Sequence, residues 1–111
     1  MTYMHTITTT EQWEQAKEHS RSEAVFVMKT SNTCPISLRA EIEYKQFETN
    51  VPKYNLVVQH ARDISNLIAE ELDVRHESPQ VFLLKDGECI WQETHSAITR
   101  KTLQEAAENF A

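Results

Sequence analysis

The chain has 111 residues, 40% of them hydrophobic and 25% charged, with one glycine, three prolines, two cysteines and a formal net charge of −6. That length makes a single domain, residues 1–111, with room for a modest core, and so little glycine and proline argues against disorder and low complexity. An acidic balance without a basic cluster argues against a nucleic-acid or anionic-membrane partner. Apolar runs such as Val81 to Leu84 are far too short to span a bilayer. Met1 to Thr10 lacks the basic and apolar regions of a secretory leader. Two cysteines make no disulfide framework, so the expected compartment is the reducing cytoplasm, where an exposed cysteine is more often catalytic than structural.

In chain order, Ile7 is expected to open a short edge strand. Thr9 or Thr10 caps a helix from Glu11 to about His19, with Trp13 and Ala16 facing the core. Ala24 to Met28 is a continuous apolar run, the pattern of a strand covered on both faces. A helix then runs from Pro35 to about Asn50. Ile36, Ala40, Tyr44 and Phe47 form one apolar stripe and Leu38 and Ile42 a second, which predicts packing on more than one side. Asn55 to Val58 is a second buried strand. Asp63 caps a helix carrying Ile64, Leu67, Ile68 and Leu72. Gln80 to Leu84 and Cys89 to Glu93 are two strands joined by an Asp86-Gly87 hairpin turn. Thr99 caps a last helix that buries Leu103, Ala106, Ala107 and Phe110, with Ile98 just ahead of it. Strands separated by helices pair in parallel and the hairpin pairs antiparallel. The fold class is therefore α/β, a mixed central sheet with helices on both faces.

Between the first buried strand and its helix lies Thr30-Ser31-Asn32-Thr33-Cys34-Pro35-Ile36-Ser37. Proline favours the first helical position and excludes the residue before it from the α region. Cys34 is thus the expected N-cap. The N–H groups of Ile36 and Ser37 lack partners inside the helix and can face the sulfur, and the helix dipole adds to their effect. Such a site favours thiolate, the nucleophilic form.

The element order, a Cys-Pro-x-Ser turn after the first central strand, Ser78-Pro79 ahead of the next-to-last strand and the hairpin Phe82 to Glu88 together resemble the thioredoxin-like fold over nearly the whole chain. Within it, Thr33-Cys34-Pro35-Ile36-Ser37 is similar to the signature of the monothiol bacilliredoxins. The resemblance implies a cytoplasmic thiol-disulfide oxidoreductase that removes bacillithiol from mixed disulfides on client proteins. The low-molecular-weight thiol would be a co-substrate, with no bound cofactor. Cys34 would attack, Pro35 would open the helix behind it, and Ser37 would occupy the place of a resolving cysteine. Pro79 would be a cis-proline facing the sulfur. Thr33, Ile36, Ser78, Lys29, His76 and His95 are the candidate contacts for the small thiol or client. Two departures stand out. Met28 takes the place of the buried acid of thioredoxins, and Ser31 takes that of a carboxylate-binding lysine of many glutaredoxins, with Lys29 the nearest base before the turn.

Several residues keep two readings. Ser37 either donates its hydroxyl to the thiolate or is a solvated first-turn serine. Asn32 and Thr33 shape the turn or merely fill it. His95 falls near Ser78-Pro79 by the hairpin register, as a ligand contact or an exposed loop residue. Arg75 and His76 meet the carboxylates of a malate-bearing thiol or lie in a solvated loop. Cys89 pairs with Leu84, about 17 Å of strand from Pro79. That is too far for a disulfide with Cys34, which needs Cα atoms within about 7 Å, so Cys89 reads as a packed strand cysteine. His5, His19 and His60 have no metal-ligand spacing with either cysteine. Competing with the oxidoreductase are an iron–sulfur cluster carrier built from two monothiol chains and a non-enzymatic adaptor that uses the fold for docking.

Overall fold

The computed structural model describes residues 4–111; Met1 to Tyr3, part of the stretch read above for a leader, lie outside the described residues. The elements are β1 (Met4–Thr6), α1 (Thr10–Ser22), β2 (Val25–Thr30), α2 (Pro35–Gln46), β3 (Lys53–Val57), α3 (Arg62–Leu72), β4 (Gln80–Lys85), β5 (Glu88–Thr94) and α4 (Arg100–Phe110). Short 3-10 turns fill Val58–His60 and His95–Ala97. The sheet order is β1-β3-β2-β4-β5. The first three strands in that order pair in parallel, and β4 and β5 join antiparallel.

Strand β2 is buried at all six positions, so its side chains divide between two cores. Val25 and Val27 enter one with Trp13, Leu56, Ile64, Ile68 and Phe82, beneath α1 and α3. Phe26 and Met28 enter the other with Ala40, Tyr44, Leu83 and Leu103, beneath α2 and α4. Helix α1 begins at the N-cap Thr9 with a reciprocal capping box to Gln12. The hairpin tip has positive φ at both Asp86 and Gly87, 55° and 76°, as a two-residue type I′ turn requires. It docks on α1, the Asp86 and Gly87 N–H groups donating to the Ser20 carbonyl and hydroxyl at 2.8 and 2.9 Å. Leu84 pairs with Cys89, the register expected from that turn.

Helix α2 departs from expectation in two ways. It packs on one side only. Ser37, Ala40 and Tyr44 are its buried positions, while Leu38 is 59% exposed and Ile36 and Ile42 are each 46% exposed. Small residues at 37 and 40 let the helix lie close to the sheet, and no described element covers its outer face. It also stops at Gln46 rather than near Asn50. There Phe47 turns into the core with extended backbone, and the ammonium of buried Lys53 donates to the Tyr44 carbonyl at 2.6 Å and to the Phe47 carbonyl. A helix end leaves four carbonyls without intrahelical partners, and a cation there also meets the negative end of the dipole. Lys53 packs against the Tyr44 and Phe47 rings, 5.4 and 5.2 Å from their centroids.

Smaller corrections follow the same logic. Helix α3 begins after Ala61, with Asp63 inside its first turn rather than at the cap, where a carboxylate still meets the dipole favourably. Strand β3 starts two residues earlier than expected, because Lys53 and Tyr54 pair with both β1 and β2, and Val58 passes into the 3-10 turn. Ile7 follows β1 rather than opening it, yet is buried and donates its N–H to the Asn55 carbonyl at 2.8 Å. Phe110, in the last turn of α4, is 46% exposed rather than buried.

Replacing Lys53 with Met keeps the apolar stem and strands two buried carbonyls. We expect a loss of about 2 kcal/mol of unfolding free energy, the usual cost of unpaired buried acceptors, read from urea denaturation. An unchanged midpoint would mean that water satisfies the helix end equally well.

Candidate active site

Parallel pairing of β2 with β3 ends with Thr30 opposite Val57. Antiparallel pairing with β4 ends with Lys29 opposite Gln80. The turn after β2, the turn after β3 and the segment before β4 therefore gather at one end of the sheet. Cys34 lies at that end as the N-cap of α2, with extended backbone and Pro35 at the first helical position.

The sulfur makes no capping hydrogen bond of ordinary geometry. The N–H groups of Ser37 and Ile36 nevertheless hold the Cys34 thiol below its ordinary value, chiefly Ser37, with the Ser37 hydroxyl adding a smaller effect in the same direction. These are the unpartnered donors of the first helical turn, and they favour the thiolate. Ser37 is fully buried, which rules out the solvated reading. Its oxygen accepts the Ser31 N–H at 3.1 Å, leaving its proton free for the sulfur.

The turn is braced by a residue that the sequence did not single out. Gln59 donates to the Ser31 hydroxyl at 2.6 Å and to the Thr33 hydroxyl at 3.3 Å, and accepts the Asn32 N–H at 3.2 Å. Asn32 and Thr33 thus shape the turn. The signal was in the register: if Thr30 lies beside Val57, Asn32 lies beside Gln59. The half-buried Cys34 opens on a cleft of about 350 Å³ lined by Ser31, Asn32, Thr33, Pro35, Leu38 and Glu41.

The Ser78–Pro79 peptide is cis. Pro79 is buried, and its carbonyl accepts the His95 N–H at 3.0 Å. His95 has a positive φ of 54°, and its ring Nε2 lies 3.3 Å from a Glu77 carboxylate oxygen. His95 is thus fixed beside the cis-proline, as the hairpin register implied. Gln80 ties the preceding loop down, donating to the Arg75 carbonyl and the Gln92 side chain and accepting the Glu77 N–H. The Ser78 hydroxyl oxygen is buried with no hydrogen-bond partner among the described residues. Arg75 is almost wholly exposed, 3.7 Å from Glu77.

Lys29 and His76 are brought together, but not as a surface for carboxylates. Lys29 is fully buried, on the α3 side of β2 rather than beneath α2. Its ammonium donates to the Ser65 carbonyl at 2.8 Å and lies 3.2 Å from His76 Nδ1. It also sits 5.8 Å from the Phe82 ring centroid. Burial lowers its pKa from 10.5 to about 8. His76 is lowered too, first by burial and then by the charge of Lys29, so its neutral ring, accepting through Nδ1, suits the site. Cys89 is half-buried at the far end of the hairpin, with its thiol pushed up by burial and its Sγ donating to the Trp91 carbonyl at 3.3 Å.

Folding therefore favours neutral Lys29. The stability it contributes is complete above the unfolded value of 10.5 and is lost as pH falls through about 8. We expect wild type to gain unfolding free energy relative to Lys29→Met as pH rises across that window, followed by denaturant titration. Parallel curves for the two proteins would show that Lys29 titrates as a solvated amine.

A family model described as monothiol bacilliredoxin BrxC matches residues 5–103. A solved structure described by its thioredoxin fold is similar at 38% identity, covering 94% of this chain and 93% of that one with a TM-score of 0.86. The Malassezia sympodialis thioredoxin matches at 18% identity, with coverage of 97% and 90% and a TM-score of 0.76. A poplar thioredoxin h mutant matches at 19%, with coverage of 96% and 81% and a TM-score of 0.79. These last two likenesses show the fold alone. The Cys34 turn with serine at 37, the cis-proline, the sheet order and the family match lead to one conclusion: this chain belongs to the monothiol bacilliredoxin family, on a thioredoxin fold.

Proposed function

We propose that, within the thiol redox role that family and fold support, this chain removes bacillithiol from mixed disulfides on client proteins in the cytoplasm. The observation that carries this reading is the Cys34 thiol itself. It is half-buried at a cleft, held down by the N–H groups of Ser37 and Ile36, and has a serine where a resolving cysteine would stand. The Cys34 thiolate attacks the small-thiol sulfur of the mixed disulfide. The existing S–S bond breaks and a Cys34–thiol disulfide forms. The client sulfur leaves with the electron pair and takes a proton from solvent. The thiolate of a second small thiol then attacks the small-thiol sulfur of the Cys34 adduct; the bond to Cys34 breaks, the Cys34 thiolate is regenerated and a disulfide of two small thiols leaves.

The chain's own residues divide the work. The first turn of α2 holds negative charge on the attacking sulfur. Gln59 and Ser31 keep the turn in shape, and the Ser78 backbone before the cis-proline offers pairing groups to an extended segment. No described carboxylate stands at Met28, so the leaving thiolate takes its proton from water at the half-exposed site. Using Cys89 as a resolving thiol would require unpairing the hairpin, losing ladder hydrogen bonds at about 1 kcal/mol each, and its raised pKa disfavours the thiolate.

We expect Cys34→Ser to abolish removal of bacillithiol from a client, followed by intact mass, and Cys89→Ser to leave the first step nearly intact. Peptide maps of oxidised wild type should show no Cys34–Cys89 link. Loss of turnover in Cys89→Ser together with a mapped internal disulfide would overturn the monothiol mechanism. Incubation with oxidised bacillithiol and, separately, oxidised glutathione identifies the small thiol. An adduct on Cys34 from glutathione alone would contradict the bacillithiol assignment.

A further inference from the structure

The exposed face of α2 continues the active site away from Cys34. Positions 34, 38 and 41 fall on one side of the helix, and Leu38 and Glu41 line the cleft into which Cys34 opens. Glu41 lies two turns beyond the N-cap, about 10.5 Å along the axis, and lines the same cleft as the sulfur. Among the described residues it is the only charged side chain in the cleft lining. Its ion-pair partner, Lys45, contacts it at 2.9 Å from the turn farther from Cys34, with 57% of the lysine side chain exposed. Exposed pairs of this kind hold weakly. The Glu77 carboxylate, on the cis-proline side beside His95 and Arg75, does not line this cleft.

We propose that Glu41 is a specificity-determining residue: its carboxylate receives the ammonium of an aminothiol joined to Cys34, so that the cleft selects cationic small thiols over neutral or anionic ones. This deepens the reading of Cys34 as the attacking thiolate and rests on it. An aminothiol disulfide carries its ammonium two carbons from the sulfur. Laid along α2 beside Leu38, that cation heads toward Glu41. In the step concerned, Cys34 thiolate attacks one sulfur of a symmetrical disulfide. The S–S bond breaks, the Cys34 mixed disulfide forms, and the released thiolate is protonated by solvent.

The test measures the rate of Cys34 modification at neutral pH and low salt by three disulfides: cystamine, which is cationic, bis(2-hydroxyethyl) disulfide, which is neutral, and 3,3′-dithiodipropionate, which is anionic. The proteins are wild type, Glu41→Gln, Lys45→Gln and Glu88→Gln. The last makes the same charge change at the exposed hairpin turn and controls for net charge. We expect the cystamine-to-dithiodipropionate rate ratio to fall about fivefold in Glu41→Gln, the factor that unit charges roughly 4 Å apart in water supply. It should rise in Lys45→Gln, which frees the carboxylate, and hold in Glu88→Gln. The neutral disulfide should react at similar rates throughout. A Glu41→Gln ratio equal to that of Glu88→Gln overturns the role of Glu41 while leaving thiol–disulfide exchange standing. Failure of Cys34 to react with any of the three overturns the exchange reading itself, and this inference with it.

Discussion

The first turn of α2 carries N–H groups that no helical carbonyl can reach, and Cys34 is the residue placed to face them. Most of the site follows from holding that turn still. Pro35 fixes the helix start without leaving a donor of its own unsatisfied. Ser37 is buried beneath the turn, where its oxygen holds the Ser31 N–H and its proton is free for the sulfur. Gln59 crosses from the end of β3 to clasp Ser31, Asn32 and Thr33. At the other end of the helix, Lys53 closes the carbonyls. The helix is thus terminated chemically at both ends, a sulfur at the positive end of the dipole and an ammonium at the negative end.

Two buried ammonium groups tie the interior to its backbone, Lys29 at the site's end of the sheet and Lys53 at the far end of α2. The Lys29 ammonium donates to the Ser65 carbonyl and lies beside His76, and the Lys53 ammonium donates to the Tyr44 and Phe47 carbonyls. Burial lowers the pKa of both. Lys29 gives the sheet a link from β2 to α3 and to the loop before the cis-proline, where an apolar side chain could give only packing. That arrangement holds the loop from the α3 side of β2, while Met28 lies in the other core.

Much of this was legible in the chain. Pro35 after Cys34 dictated an N-cap. Asp86-Gly87 demanded left-handed conformations and thereby set the Leu84–Cys89 register, which placed His95 near Ser78-Pro79; a bulge between Cys89 and Trp91 shifts the pairing by one residue, so that Gln80 meets Thr94. What escaped depended on partners far away in sequence. Leu38 and Ile42 have helical spacing, but spacing alone does not say whether another element covers that face, and none among the described residues does. Lys29 ends an apolar strand and read as a candidate contact for the small thiol; only the position of Ser65 and His76 reveals that its ammonium turns inward. Gln59 carried no local signal, and its role came from the parallel register that sets it beside Asn32. Lys53 ended α2 early because its partner carbonyls, on Tyr44 and Phe47, belong to a helix read independently of it.

The start of α2, rather than a neighbouring base, is what holds the Cys34 thiol below its ordinary value. The most direct measurement is an NMR titration of the ¹³Cβ shifts of Cys34 and Cys89 in one sample of reduced protein, repeated with Ser37→Ala. The expected result is a Cys34 midpoint below the ordinary thiol value of 9.0 and a Cys89 midpoint above it, with a modest rise for Cys34 alone in the variant. Coincident midpoints for the two cysteines, or a Cys34 midpoint at or above the ordinary value, would contradict it.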